Sequence, residues 1–189
     1  MHATQLHMTR DEYLALAHSS KDKYEFYQGQ IFAMAGGSFN HAKIGLNVAS
    51  YLVNVLRGSS CQTLNSDMRI STPSGLDTYP DVSVFCGDPE LTDNHCTLLN
   101  PILIVEVLSP STRSYDRGDK FMLYRSLTSL QDYLLVDSEA VLVEHYQRKQ
   151  QYEWQLREYR DLMAPLYLQS ITQTITLQAI YEGVVFSPA

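Results

Sequence analysis

The sequence predicts a mixed α/β domain with a central β-sheet flanked by helices, and three observations carry this. Short β-branched or aromatic runs bounded by Pro, Gly, Ser or Asn recur along the chain, as at Val82–Phe85, Ile102–Leu108 and Tyr133–Asp137. A segment before them, Asn40 to Leu56, instead places apolar residues three and four apart, as a core-facing helix does. Helix, several strands, helix and further strands in that order describe sheet and helices sharing one core. At 189 residues the chain is long enough for one sizeable domain, taken here as 1–189.

The elements follow in order. Thr9 and Glu12 have capping-box spacing and open a helix from Arg10 to His18. Tyr24–Tyr27 and Ile31–Met34 flank Gln28-Gly29-Gln30, a β-hairpin with glycine in the turn. Gly36-Gly37 precedes the helix Asn40 to Leu56, whose stripe is Ile44, Val48, Tyr51, Leu52 and Val55, and Gly58 closes it. A strand is expected from Cys61 to Ile70, with Asp67 inside it, then a turn at Thr72–Gly75. Pro80-Asp81 heads the strand Val82–Phe85, and Gly87 to Asn100 reads as an exposed polar loop. The strand Ile102–Leu108 ends at Ser109-Pro110-Ser111-Thr112. A helix from Tyr115 to Leu127 then turns Phe121, Tyr124 and Leu127 inward. Strands are expected at Tyr133–Asp137, Val141–Arg148, Tyr152–Tyr159 and Thr172–Leu177, with a short turn or helix at Gln178–Glu182. No internal repeat and no linker interrupts the chain.

Composition narrows the function classes. Asp plus Glu number 21 against 14 Lys plus Arg, which argues against a broad electrostatic nucleic-acid binder. A nuclease stays open, since a carboxylate-rich site itself lowers net charge. Three cysteines without CxxC spacing predict neither a disulfide framework nor a structural zinc, and point to the cytoplasm. No secretory pattern or run of membrane-spanning length is present, so no membrane partner is expected.

The chemistry centres on Glu106, one carboxylate in an otherwise apolar strand. Burying it ionised is costly unless a cation or metal compensates. Side chains alternate along a strand, so if its neighbour is the strand after Asp81, the two carboxylates converge. Two converging carboxylates with open positions suit Mg²⁺ or Mn²⁺, which lowers the pKa of a bound water. Lys120, four residues after Asp116, would orient that water or neutralise developing charge. Gly118 permits close approach of a backbone or substrate. Alternatives stand beside each reading. Asp81 is also a common strand-entry residue, and Asp116 with Lys120 also makes an ordinary surface pair. Glu106 could pair with Arg69, Arg113 or Arg117.

Several stretches resemble the Uma-type family of restriction endonucleases, within the PD-(D/E)XK nuclease superfamily. They are Tyr24-Glu25 with Gly29, Pro80-Asp81-Val82, Ile104 through Thr112, Asp116-Arg117-Gly118 with Lys120, Tyr124, and the terminal Ile180–Gly183. The resemblance implies a restriction-endonuclease-like core with Asp81 and Glu106 as metal ligands. It also implies Mg²⁺ or Mn²⁺ as cofactor and DNA as partner, and with symmetry it implies a homodimer. The superfamily lysine two residues after the strand acid is replaced by Leu108, which nominates Lys120 on the following helix. Glu25 would complete the metal shell, or else be a solvated hairpin residue. His41 would contact phosphate or shuttle a proton, or else serve as a cap. Asp67, in a strand where Asp is disfavoured, could reach the same cleft. Of the tyrosines, Tyr124 is the one placed on a helix turn near Lys120.

Three functions compete. The first is a metal-dependent DNA endonuclease acting through an activated water. The second is a catalytically inactive nuclease-fold module for nucleic-acid or protein interaction. The third is a hydrolase of small phosphate esters, which predicts an enclosed pocket.

Overall fold

The computed structural model describes residues 3–4, 7–34 and 36–186. After β1 (Ala3–Thr4), helix α1 (Arg10–Ser19) opens on the expected Thr9–Glu12 capping box. The hairpin is β2 (Tyr24–Tyr27) and β3 (Gln30–Ala33), turning through Gln28 and Gly29 at positive φ. Helix α2 (Phe39–Val55) is capped by the Ser38 hydroxyl and buries Ile44, Val48 and Leu52. Next come β4 (Cys61–Asn65), β5 (Arg69–Ser71), β6 (Asp77–Thr78) and β7 (Val82–Cys86). They are followed by β8 (Leu91–Thr92), β9 (Thr97–Leu98) and β10 (Leu103–Leu108). Two short helices, α3 (Arg113–Arg117) and α4 (Asp119–Tyr124), lead to β11 (Asp132–Asp137), β12 (Val143–Gln150) and β13 (Glu153–Tyr159). The chain closes with β14 (Pro165–Leu168), β15 (Gln173–Thr176) and α5 (Leu177–Ile180).

Six strands form the central sheet in the order β13-β12-β11-β10-β7-β4. It is mixed: β10 and β11 run parallel and the other pairs antiparallel. Alternation along β10 divides its side chains between two cores. Leu103, Val105 and Val107 meet α2 and α5 on one face. Ile104 and Leu108 meet Phe121 and Tyr124 of α4 on the other, so Glu106 points toward α4. A second sheet, β1-β3-β2-β6-β5-β9-β8, supplies Glu25 from β2. Arg10 ties α1 to it through Asp77 and Asp93. Among the described residues, no helix is long and apolar enough to cross a membrane.

Several expectations are corrected. The strand Cys61–Ile70 is two strands, and Asp67 lies in the turn between them. There its exposed carboxylate bonds Lys23 at 2.7 Å and is not part of the site. The Gly87–Asn100 loop contains β8 and β9, whose Thr97 and Leu98 are buried. The helix from Tyr115 is broken at Gly118, where ψ of −98° stops helical hydrogen bonding. β14 had no separate sequence signal and exists as the partner of β15. Cys61 and Cys86 face each other in the β4–β7 register and are joined in a disulfide, whereas none was expected. Register, not spacing along the chain, brings them together. Cys96 is free and exposed.

Candidate active site

The β7–β10 register pairs Val82 with Val105, so one step outward Asp81 stands opposite Glu106 on the α4 face. Backbone fixes this arrangement, because the Val107 N–H donates to Asp81 Oδ2 at 2.7 Å. The Gly118 break then lets α4 start afresh and direct Lys120 at the strand. Its ammonium lies 2.8 Å from Glu106 Oε1, 2.9 Å from Glu25 Oε1 and 3.6 Å from Asp116 Oδ1. All four residues are buried. Tyr124, one turn further along α4, donates to Glu106 Oε1 at 2.8 Å, and the Thr78 hydroxyl donates to Glu25 Oε1. His41, in the first turn of α2, holds Nε2 3.5 Å from Asp81 Oδ2.

Glu25, His41, Asp81, Glu106 and Lys120 therefore line one cleft of about 800 Å³. Arg69, Arg113 and Arg117, the alternative partners for Glu106, pair elsewhere, with Asp93, Glu139 and Glu144. Asp116 is a buried member of the cluster and not a surface residue. Thr78 as the support for Glu25 gave no sequence signal, since the two belong to different strands of the second sheet. The Val107 N–H is likewise visible only in three dimensions.

The cluster holds more carboxylates than cations. Burial pushes the Glu106 carboxyl up to about 8, with Asp116 and Asp81 adding to the rise and Lys120 opposing it. Asp116 is raised for the same first reason, burial. Burial also disfavours the Lys120 ammonium, but Glu106, Glu25 and Asp116 outweigh that and hold it charged well above the usual lysine range. The donor set consists of hard oxygens, and Oε2 of Glu25 is buried without a hydrogen-bond partner. Among the described residues, no three Asp, Glu, His or Cys side chains close around one point as a metal cage. A divalent ion would therefore use few carboxylates and keep its own waters, as Mg²⁺ commonly does. The residues fit such an ion.

A pH effect follows. A carboxyl whose folded pKa lies above its unfolded value makes the folded state bind more protons, so stability falls as pH rises. For Glu106 the loss runs from the ordinary glutamate range up to about 8. In chelator, urea midpoints of the wild type should decline across that window, and Glu106→Gln should flatten the decline. An identical slope in both proteins would show that Glu106 folds already ionised.

The Uma2 model, described as "Putative restriction endonuclease", matches residues 10–179. The chain is 39% identical over 180 residues to the uncharacterized protein slr1290 of Synechocystis sp. (strain ATCC 27184 / PCC 6803 / Kazusa), covering 95% of this chain and 94% of that one. It is also 39% identical over 158 residues to the uncharacterized protein sll1609 of the same strain, covering 82% and 89% respectively. Its fold matches the crystal structure of a "putative nuclease belonging to DUF820" from Anabaena variabilis ATCC 29413 with a TM-score of 0.77. That match covers 94% of this chain and 99% of the other at 18% identity, a likeness of fold alone. The fold is α/β with a restriction-endonuclease-like core.

Proposed function

The chain belongs to the Uma2 family, and on that premise we propose that it is a divalent-metal-dependent DNA endonuclease hydrolysing phosphodiester bonds. The observation that supports this most is the β7–β10 register, which sets Asp81 opposite Glu106 with Lys120 in reach. Asp81 and Glu106 would hold Mg²⁺ or Mn²⁺, with Oε2 of Glu25 as a further oxygen. Such an ion supplies, when bound, a water of lowered pKa and charge neutralisation at the phosphate. The chain's own groups do the rest. Lys120 opposes protonation of Glu106 and keeps a positive charge beside the position where an oxyanion develops. Tyr124 fixes one Glu106 oxygen by donating to it, and the Val107 N–H fixes Asp81. His41, beside Asp81, is placed to contact a phosphate or relay a proton. The proposal includes a two-fold pair of chains, one cleft for each strand of a duplex. The cytoplasmic setting expected from unpaired cysteines loses that ground with the Cys61–Cys86 disulfide.

A second reading, the catalytically inactive module, is favoured by one observation. Lys120 already pairs with both Glu25 and Glu106, so the cluster is partly neutralised without an ion. Incubation of supercoiled DNA with the purified protein and Mg²⁺ or Mn²⁺ separates the two. Nicking by the wild type that Glu106→Ala abolishes is the expected result. Equal nicking by both would assign the activity to a contaminant and leave the module.

A further inference from the structure

Helix α2 buries one face against the central sheet and leaves another uncovered. On that second face Phe39, Leu46 and Val53 are 77%, 62% and 46% exposed, large fractions for apolar side chains on one helix. They recur every seven residues, with Ala42 and Ala49 between them. The spacing is therefore alternately three and four, which is the seam of a helix pair. Of these five residues Ala49 also packs against the central core, where α2 is anchored through Ile44, Val48 and Leu52; Phe39, Leu46 and Val53 project away from it.

The seam is almost symmetric about its middle. Reading outward from Leu46, each direction meets an alanine and then a large apolar residue. A second α2 lying antiparallel across the first would set Leu46 against the partner's Leu46. Ala42 would meet the partner's Ala49, and Phe39 would meet the partner's Val53. Small residues beside the centre let the two backbones approach closely, while larger ones close the ends. This is the self-complementarity that a two-fold interface requires.

Charge favours the same occupant. Lys43 is the single Lys, Arg, Asp or Glu among the 17 residues of α2, and its stem lies near Gly183, away from the seam. Ser50 and Asn54 give the seam a neutral polar edge. The two α2 helices can thus meet without opposing like charges of their own. A helix built to lie along the phosphate backbone would instead carry several Lys or Arg of its own. A groove of about 610 Å³ runs beside the same face; Gly45, Leu46 and Ala49 form part of its α2 wall, and Lys21, Asp22, Lys23 and Asp81 line part of the rest.

We propose that α2 is the contact between two copies of this chain, packed antiparallel about a two-fold axis through Leu46. The assignment deepens the paired-chain reading by naming its surface, and it stands whether or not the cleft cuts DNA.

Sedimentation and cysteine cross-linking test it on the full chain. The wild type should show a concentration-dependent species of twice the monomer mass. Leu46→Glu should lose it while keeping the wild-type circular dichroism spectrum. In a Cys96→Ser background, Leu46→Cys should oxidise readily to a covalent dimer. Val53→Cys alone should not, because its two copies would lie about 21 Å apart along the seam at 1.5 Å per residue. A mixture of Phe39→Cys and Val53→Cys should cross-link. A wild type that is monomeric at every concentration would overturn the proposal. So would a dimer that survives Leu46→Glu, which would point to another surface such as the edge strand β13. Self-cross-linking of Val53→Cys would indicate a parallel pair and overturn the antiparallel one. None of these readouts depends on nuclease activity, so failure here and failure of the endonuclease reading are distinct results.

Discussion

Replacing Lys120 by methionine is expected to destabilise the protein by about 3–5 kcal/mol, the usual cost of breaking a buried ion pair from one side. The length of the side chain is kept and only the charge is lost. Left behind are Glu25, Glu106 and Asp116, all buried and within salt-bridge distance of one vanished ammonium. Three like groups in a small volume cannot all stay ionised, so protons must be taken up or the helix must move. Urea denaturation in chelator above pH 8, where Glu106 is ionised, measures the loss, and adding Glu25→Gln to the variant should recover part of it. A loss below about 1 kcal/mol would mean that the carboxylates are already protonated and Lys120 compensates nothing.

Asp81→Asn is expected to separate chemistry from folding. Asp81 is partly exposed, and the amide oxygen of asparagine can still accept from the Val107 N–H, so the stability change should be small. Asparagine is a poor ligand for a hard divalent ion, however, and brings no negative charge. Cleavage should fall by about a hundred- to a thousandfold, which at 1.36 kcal/mol per decade corresponds to several kcal/mol of lost charge stabilisation. Calorimetric titration with Mn²⁺ should lose the same site. Unchanged Mn²⁺ affinity in the variant would remove Asp81 from the ion and shift attention to Glu25 and Glu106.

Particular residues show why some of the site could be read in one dimension. Asp81 and Glu106 each sit at a fixed place in an apolar run, and alternation assigns each a face. Only adjacency of the two strands had to be supplied, and the β7–β10 register supplies it. Lys120 was harder, because an uninterrupted helix would have turned it differently. The break at Gly118 sets its direction, and that break depends on how α3 and α4 pack on the sheet. Glu25 was nominated by resemblance alone, as nothing in a hairpin says which sheet will cover it. Asp67 misled because one polar turn between two strands reads like a lapse in a single strand.

The sequence by itself determined helix α2, the central strands with their faces, and which carboxylates lie in apolar runs. These follow from periodicity and from the cost of burying charge, which are local properties. Tertiary structure alone decided that Lys120 lies between Glu25 and Glu106, that Asp116 is buried, and that Cys61 faces Cys86. Each of those pairs residues from separate elements, and their distances are set by sheet register and by how the layers stack. Such quantities arise only when the whole core closes.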